Sequence, residues 1–184
     1  MYLYIHGFNS SSLSHKTQVL KHWLKLQGRE SEWHCPDLPH DPFEAIELLS
    51  RLIESLPIKP KLVGSSLGGF YANVLAAKYD LKAVVINPAI HPGELLKPAL
   101  GTQKMWYSDE TYEFTQTHLD ELNVLELRAP KNPDNIFLMQ ERKDEVLDWK
   151  LAVKYYKDCH QLVFRGGNHS FTRFEDVLEL IDRF

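Results

Sequence analysis

The sequence predicts an α/β fold in which a mostly parallel six-stranded sheet is covered by helices on both faces. Short apolar runs alternate regularly with longer segments of 3.6-residue periodicity. All but one of these runs are continuously apolar, as is typical of strands buried on both faces of a parallel sheet. With 184 residues, 43% of them hydrophobic, the chain is long enough for one well-buried core, so we expect residues 1–184 to form a single domain.

Six segments of the chain are predicted strands. Five of them are continuously apolar, whereas residues 32–35 form a weaker candidate. The segments are Met1–Ile5, Glu32–Cys35, Lys61–Val63, Ala83–Asn87, Ile136–Gln140 and Gln161–Phe164. We expect the order 2-1-3-4-5-6 across the sheet. The loops after the first and third strands then meet at a topological switch point, where ligands bind in such sheets.

Helices are predicted where apolar side chains recur at helical spacing. The pair Asp41-Pro42 suits the N-cap and first turn of one helix, and residues 67–79 form another directly after the third strand. We expect three apolar stripes to lie in the core, namely Val19, Trp23 and Leu26; Phe43, Ile46, Leu49 and Ile53; and Phe174, Val177, Leu178 and Ile181.

The longest interruption of this alternation spans residues 88–122, where turn residues mix with aromatic ones. A segment of this length is more typical of a lid or a pocket wall than of a plain connection. We therefore expect residues 88–122 to form a short lid-like or cap segment. The alternative is a surface excursion without a functional role.

Charge and cysteine usage indicate which partners and compartments to expect. The 21 Lys and Arg residues against 25 Asp and Glu residues give a net charge of −4 without a long block of like charge, so nucleic acid is not an expected partner. Cys35 and Cys159 stand alone, which suggests neither a disulfide framework nor a paired-cysteine metal site. The N-terminus lacks a leader pattern, and no apolar run approaches the ~18 residues of a membrane span. We expect a cytoplasmic protein and leave its oligomeric state open.

The stretch GSSLG at residues 64–68 carries the clearest chemical signal. It fits the pattern G-x-S-x-G, the nucleophile elbow, in which the central serine sits on a sharp turn between a strand and a helix. Ser66 holds the central position. Gly64 and Gly68 are expected there because side chains would collide with neighbouring backbone. The alternative is that Ser66 only caps the helix.

A serine nucleophile needs a base, and the base needs an acid to orient it. His169 follows the last predicted strand in the glycine-containing loop GGNH, which can bend towards Ser66. The acid should lie between the serine and the histidine in the chain. Asp144 is the predicted acid, because it lies in the loop before the next helix; Glu145 is its rival, Glu141 lies too close to the strand end, and Asp148 suits a helix N-cap.

The developing oxyanion of such a reaction needs two N–H donors. We assign them to the amide of Leu67, directly after the nucleophile, and to the amide of Phe8 in the loop after the first strand. Aromatic side chains are candidates for an acyl or aryl pocket: Phe8, Trp106 and Tyr107, together with Phe70, for which a core position is the alternative.

Five motifs in one order carry a resemblance to a known family. YIHGFNSS, VGSSLGGFYA, VINPAIHPGELL, KDEVLD and GGNHSFTRFED together resemble the YqiA-type small esterases of bacteria, a branch of the α/β hydrolase superfamily, over almost the whole chain. The resemblance implies an esterase for short acyl esters or acyl-CoA thioesters, with Ser66, Asp144 and His169 at the triad positions.

The sequence therefore predicts a serine esterase that uses an acyl-enzyme intermediate, a small-molecule ester or thioester as partner, and neither metal nor cofactor. Two alternatives remain: a thioesterase or acyltransferase with an acceptor other than water, and a non-catalytic binding module of the same fold. Because the histidine base must be neutral, we expect activity to rise with pH through about 6.5 to 7.

Overall fold

The computed structural model describes residues 1–184 as eight strands and seven α-helices joined by loops and short 3-10 turns. The strands are β1 (Tyr2–Ile5), β2 (Trp33–His34), β3 (Lys61–Ser65), β4 (Ala83–Ile86), β5 (Gly101–Lys104), β6 (Thr111–Phe114), β7 (Ile136–Glu141) and β8 (His160–Phe164). The helices are α1 (His15–Leu26), α2 (Pro42–Ser55), α3 (Leu67–Tyr79), α4 (Pro92–Leu95), α5 (Gln116–Leu125), α6 (Trp149–Tyr155) and α7 (Leu178–Arg183).

Six of the strands form one parallel sheet in the order β2-β1-β3-β4-β7-β8. Numbered among themselves, these strands have the order 2-1-3-4-5-6, so the predicted fold class and strand order are confirmed. The central pairing continues to the ends of the strands, with Ile5 opposite Gly64 and Ser65 opposite Ile86. The loops after β1 and β3 therefore leave the sheet side by side.

Alternate side chains of β1 enter two separate cores, which explains why its sequence is apolar throughout. Leu3 and Ile5 point towards α2 and α3, while Tyr2 and Tyr4 point towards α1 and α7. A strand covered by helices on both faces needs apolar side chains at every position, because successive residues point to opposite faces.

The predicted helix stripes are correct for the C-terminus and partly wrong for α1 and α2. Phe174, Val177, Leu178 and Ile181 are all buried, but Leu26 is 71% exposed and Phe43 is 43% exposed. Val19 and Trp23 are only partly buried, since the face of α1 that meets the sheet consists of Thr17, Leu20 and Leu24. The Thr17 hydroxyl is satisfied by the carbonyls of Ser12 and Ser14, so a polar residue can be buried on this face. A search for apolar residues at helical spacing therefore does not detect the face.

Residues 88–122 contain regular structure rather than an irregular excursion. They include α4, the antiparallel hairpin β5–β6, and most of α5, which packs on α4. The hairpin pairs Gly101 with Phe114 and Lys104 with Thr111, and it makes a sheet of its own. The role of this segment as a lid stays a prediction.

Both cysteines, Cys35 and Cys159, are free thiols. The structure contains no group of three or more His, Cys, Asp and Glu side chains that could hold a metal ion. None of the seven helices combines the length and the apolar composition that crossing a membrane requires.

Gly68→Ala is expected to destabilise the fold strongly, because a Cβ there would overlap the backbone carbonyl oxygens of Ile5 and His6. Moving β1 away would disturb the centre of the sheet. We therefore expect the free energy of unfolding to fall by at least about 3 kcal/mol and Tm to fall by about 6–12 °C. Gly28→Ala is the matched control. Its φ of +70° carries a left-handed penalty of about 1 kcal/mol, but no atom lies within 4 Å. If calorimetric melts showed an equal fall in Tm for Gly68→Ala and Gly28→Ala, the argument from overlap would be contradicted.

Candidate active site

Ser66 occupies a strained corner between β3 and α3. Its φ of 57° and ψ of −122° lie outside the regions that L-residues ordinarily adopt. Two backbone hydrogen bonds hold the corner: the Ser66 N–H donates to the Ile86 carbonyl at 3.0 Å, and the Ala89 N–H donates to the Ser66 carbonyl at 3.0 Å. The Ser66 side chain makes no capping hydrogen bond to α3, so its hydroxyl is free for other contacts.

The glycines around Ser66 are required by close backbone approach. A Cβ on Gly64 would overlap the backbone of Gly68. A Cβ on Gly68 would overlap the backbone carbonyl oxygens at the end of β1. Gly69 faces Pro88, whose Cβ would lie 2.9 Å from an added Cβ. The turn is therefore as tight as the sequence pattern indicated, and α3 can begin immediately after Ser66.

Ser66, His169 and Asp144 form a continuous chain of hydrogen-bonding distances. The Ser66 Oγ lies 3.1 Å from His169 Nε2, and His169 Nδ1 lies 2.9 Å from Asp144 Oδ2. The Asp144 side chain is fully buried, and its Oδ1 accepts from the amides of Val146 at 2.9 Å and Leu147 at 2.8 Å. Since the carboxylate can only accept, the imidazole carries its proton on Nδ1 and presents Nε2 to the serine as an acceptor.

The rival carboxylates support the histidine loop instead of the imidazole. Glu145 Oε2 accepts the backbone N–H of His169 at 3.0 Å. Glu141, whose side chain is also fully buried, accepts the Asn168 N–H at 2.7 Å and pairs with Arg173 Nε at 2.5 Å. The three acidic residues thus converge on one loop, but Asp144 is the one that reaches the ring.

Asn87 is a residue of the candidate site that the sequence analysis did not identify. Its side-chain N–H₂ donates to the carbonyls of Asn168 at 3.0 Å and His169 at 3.1 Å, and its Oδ1 accepts the Glu141 N–H at 2.9 Å. The residue is completely buried and has a φ of 40°. The available signal was a polar residue at the end of the apolar run AVVI. The predicted strand 83–87 included Asn87, whereas β4 ends at Ile86.

The loop after β1 runs beside the elbow. An added Cβ on Gly7 would lie 3.3 Å from Ser66 Cβ. His6 is buried, and burial lowers its pKa despite its hydrogen bond to Gly7 and the nearby charge of Asp37, so the ring stays neutral. Its Nδ1–H donates to the Gly7 carbonyl at 3.0 Å, while Nε2 accepts the Leu38 N–H at 3.1 Å. His6 therefore stabilises the conformation of this loop through these two hydrogen bonds.

The amides of Phe8 and Leu67 are both free of acceptors within the protein. Leu67 is the first residue of α3, where helix geometry leaves N–H groups unpaired and concentrates partial positive charge. Both residues line the same small cavity of about 30 Å³. The two predicted oxyanion donors therefore border one cavity, Phe8 from the loop after β1 and Leu67 from the start of α3.

Asn9 ties this loop to the β5–β6 hairpin and was also missed from the sequence. Its carbonyl accepts the Trp106 N–H at 2.9 Å, its Nδ2 donates to Gln103 at 3.0 Å, and its Oδ1 accepts the Tyr112 hydroxyl at 2.6 Å. A φ of 54° turns the chain at Asn9 so that all three contacts form.

The predicted pocket residues have different environments. Phe8 lines the small cavity and packs edge-on against Phe114, with 5.2 Å between ring centroids. Phe70 is 5% exposed and belongs to the core, the alternative that the sequence had left open. Tyr107 lines a larger groove, whereas Trp106 is 68% exposed and contacts the site through its backbone amide.

Comparison with known proteins places the chain in a family. The sequence matches, over residues 1–184, the family described as "Uncharacterised protein family (UPF0227)". The chain belongs to this family. It is 24% identical to the UPF0227 protein YcfP of Salmonella gallinarum and 25% identical to a UPF0227 protein of Vibrio cholerae, in each case over 100% of this chain and 98% of the relative.

Solved structures of low sequence identity share the fold. Est1E from Butyrivibrio proteoclasticus superposes with a TM-score of 0.73 at 16% identity, covering 100% of this chain and 85% of Est1E. An esterase domain from Rhodothermus marinus gives a TM-score of 0.70 at 16% identity, over 99% of this chain and 84% of that one. The protein has the α/β hydrolase fold, and the predicted resemblance to the YqiA-type family is confirmed.

Proposed function

We propose that the protein is a serine hydrolase that cleaves short-chain acyl esters through an acyl-enzyme intermediate. One observation carries the proposal: Ser66 Oγ lies 3.1 Å from His169 Nε2, at a strained strand-to-helix turn of an α/β hydrolase fold. A serine that only capped the helix would need neither the strain nor the histidine. Residues 1–184 then form one catalytic domain, in which the segment 88–122 walls the substrate site.

The first half of the reaction acylates Ser66. The Oγ attacks the carbonyl carbon while its proton passes to His169 Nε2, and the electron pair of the carbonyl double bond moves to the oxygen. The amides of Phe8 and Leu67 donate to this oxyanion. Asp144 stays ionised and stabilises the imidazolium through Nδ1–H. When the tetrahedral species collapses, the bond to the leaving group breaks and that group takes the proton from Nε2.

The second half returns the free enzyme. Water gives a proton to His169 Nε2 and attacks the acyl carbon, and the bond between that carbon and Ser66 Oγ breaks as Oγ regains the proton. Thioesters follow the same steps with a C–S bond in place of C–O. No step requires a metal or a cofactor, and the partner in the reaction is a small-molecule acyl ester or thioester.

The test is covalent labelling of the purified protein with a fluorophosphonate probe, followed by peptide mapping. We expect phosphonylation at Ser66 alone among the serines, because Ser66 is the serine whose hydroxyl meets a histidine base. Steady release of p-nitrophenol from p-nitrophenyl acetate without an added acceptor would then distinguish a hydrolase from an acyltransferase. Folded protein that resists the probe would refute the proposal and favour the binding module.

A further inference from the structure

The loop after β1 makes a tight turn directly beside the nucleophile. The Ser10 N–H donates to the Gly7 carbonyl at 3.2 Å, and Asn9, the third residue of the turn, has a φ of 54°. A Cβ added at Gly7 would lie 3.8 Å from Ser66 Oγ, so the first peptide of the turn borders the reacting atom. A turn of this kind needs a left-handed third residue, which glycine and asparagine adopt most readily. The shape of the turn therefore depends on the conformation of Asn9.

The peptide between Gly7 and Phe8 is oriented from its carbonyl side. The Gly7 carbonyl accepts two hydrogen bonds, one from the Ser10 N–H and one from His6 Nδ1–H at 3.0 Å. All peptide bonds of the chain are trans, and in a planar trans peptide the C=O and N–H groups point in opposite directions. The Phe8 N–H therefore points away from both donors, and its direction changes whenever the turn changes. The two hydrogen bonds also polarise the peptide, which makes its N–H a stronger donor.

Asn9 is held in its left-handed conformation by the β5–β6 hairpin. Its carbonyl and both polar atoms of its side chain bond to this hairpin, through the Trp106 N–H, the Gln103 side chain and the Tyr112 hydroxyl. Burial raises the pKa of Tyr112 to about 12, so the hydroxyl keeps its proton and donates to Asn9 Oδ1. Asn9 is only 9% exposed, and solvent therefore cannot readily replace these partners.

The hairpin also contacts the preceding residue of the turn. The Phe8 ring packs edge-on against Phe114, the last residue of β6. Both central residues of the turn, Phe8 and Asn9, are thus attached to one structural unit outside the parallel sheet. A displacement of the hairpin would act on the turn at these two positions, whereas the corner at Ser66 is held by backbone hydrogen bonds to Ile86 and Ala89.

We propose that Asn9 is a positioning residue through which the β5–β6 hairpin sets the direction of the Phe8 N–H in the oxyanion hole. This inference rests on the proposed function of Ser66 and adds a requirement of the chemical step at that site. When the hairpin leaves its place, Asn9 loses its partners and the turn relaxes. The oxyanion then loses one of its two donors, although Ser66 and His169 keep their geometry. The hairpin therefore contributes to catalysis itself and is more than a wall of the substrate site.

Asn9→Gly and Tyr112→Phe test the proposal from the two ends of one hydrogen bond. Glycine adopts a φ of 54° and keeps the carbonyl that Trp106 contacts, but it has no side chain to bond the hairpin. Phenylalanine keeps a ring that can stack on His40 and lacks the hydroxyl. Complete loss of an oxyanion donor costs about 10²- to 10³-fold in kcat, so misdirecting one should cost about tenfold. We expect this fall in each variant for p-nitrophenyl acetate with KM within about twofold, and little further fall in the double variant.

A substrate with sulfur in place of the carbonyl oxygen distinguishes positioning from general damage. The sulfur of O-(4-nitrophenyl) thionoacetate accepts hydrogen bonds poorly, so its turnover gains little from the oxyanion hole. We expect the ratio of kcat/KM for the oxygen ester to that for the thiono ester to fall about five- to tenfold in both variants, with an unchanged pH midpoint. Thr102→Val is the matched control, because that exposed hydroxyl bonds Glu113 across the hairpin and does not contact the turn. Equal losses on both substrates, or the same fall in the control, would overturn the proposal.

Amide hydrogen exchange separates the failure of this inference from the failure of the proposed function, since it needs no turnover. The Ser10 N–H closes the turn, so we expect it to exchange about tenfold faster in Tyr112→Phe and at the wild-type rate in Thr102→Val. If that pattern is seen but Ser66 resists the fluorophosphonate probe, the hairpin positions the turn and the hydrolase proposal alone falls. If Ser66 is labelled while Ser10 exchange and the ester ratio are unchanged in Tyr112→Phe, the positioning inference alone falls.

Discussion

Asp144→Asn is expected to lower kcat for p-nitrophenyl acetate by about 10⁴-fold, because the variant holds the wrong histidine tautomer. Asparagine can still accept the turn amides of Val146 and Leu147 through its oxygen, so the loop should keep its shape. Its N–H₂ group would then face His169 Nδ1, which favours the tautomer protonated on Nε2. That tautomer cannot take the Ser66 proton.

Glu145→Gln is the matched control for this prediction. Glutamine retains an oxygen that accepts the backbone N–H of His169, so we expect kcat to fall less than tenfold. Steady-state kinetics on both variants, with melting curves to show that each is folded, make the comparison. A loss in Glu145→Gln as large as in Asp144→Asn would transfer the orienting role to Glu145.

Ser66→Ala is expected to reduce ester hydrolysis by at least about 10⁴-fold and to abolish phosphonylation, since the attacking oxygen is gone. Ser66→Gly should lose activity equally but gain stability over the alanine variant. Glycine adopts the φ of 57° and ψ of −122° without the strain that any Cβ brings. After the entropy of glycine in the unfolded chain is subtracted, we expect a gain of about 1 kcal/mol and a Tm about 2–4 °C higher.

The comparison of these two inactive variants measures the backbone strain at position 66 separately from catalysis, because neither variant has a nucleophile. Calorimetric melts of wild type, Ser66→Ala and Ser66→Gly make the measurement. A glycine variant that melts below the alanine variant would mean that the elbow stores no strain. Residual turnover in both variants at the wild-type rate would remove Ser66 from the mechanism altogether.

Local patterns predicted much of the fold because each one reports on its own segment. The run MYLYI is apolar at every position since both faces of β1 are covered, and Asp41-Pro42 begins α2 with a side-chain cap from Asp41 to the Glu44 N–H at 2.9 Å. The stripe of α1 failed since Thr17 is buried with its hydroxyl satisfied by the carbonyls of Ser12 and Ser14, which immediately precede the helix. Helix propensity and the periodicity of apolar residues take no account of such hydrogen-bond partners.

The α/β class, the strand order and the residue types of the Ser66 elbow and the GGNH loop follow from local sequence patterns, because short motifs impose their own backbone geometry. Which acid reaches the imidazole depends on how the chain folds. Asp144 and Glu145 are neighbours in the chain, but one bonds the ring and the other the backbone of His169. Asn87 and Asn9 likewise acquire their positioning contacts from segments far away in sequence. Such hydrogen bonds are directional and join residues that are far apart in the sequence, so only the folded chain brings their partners together.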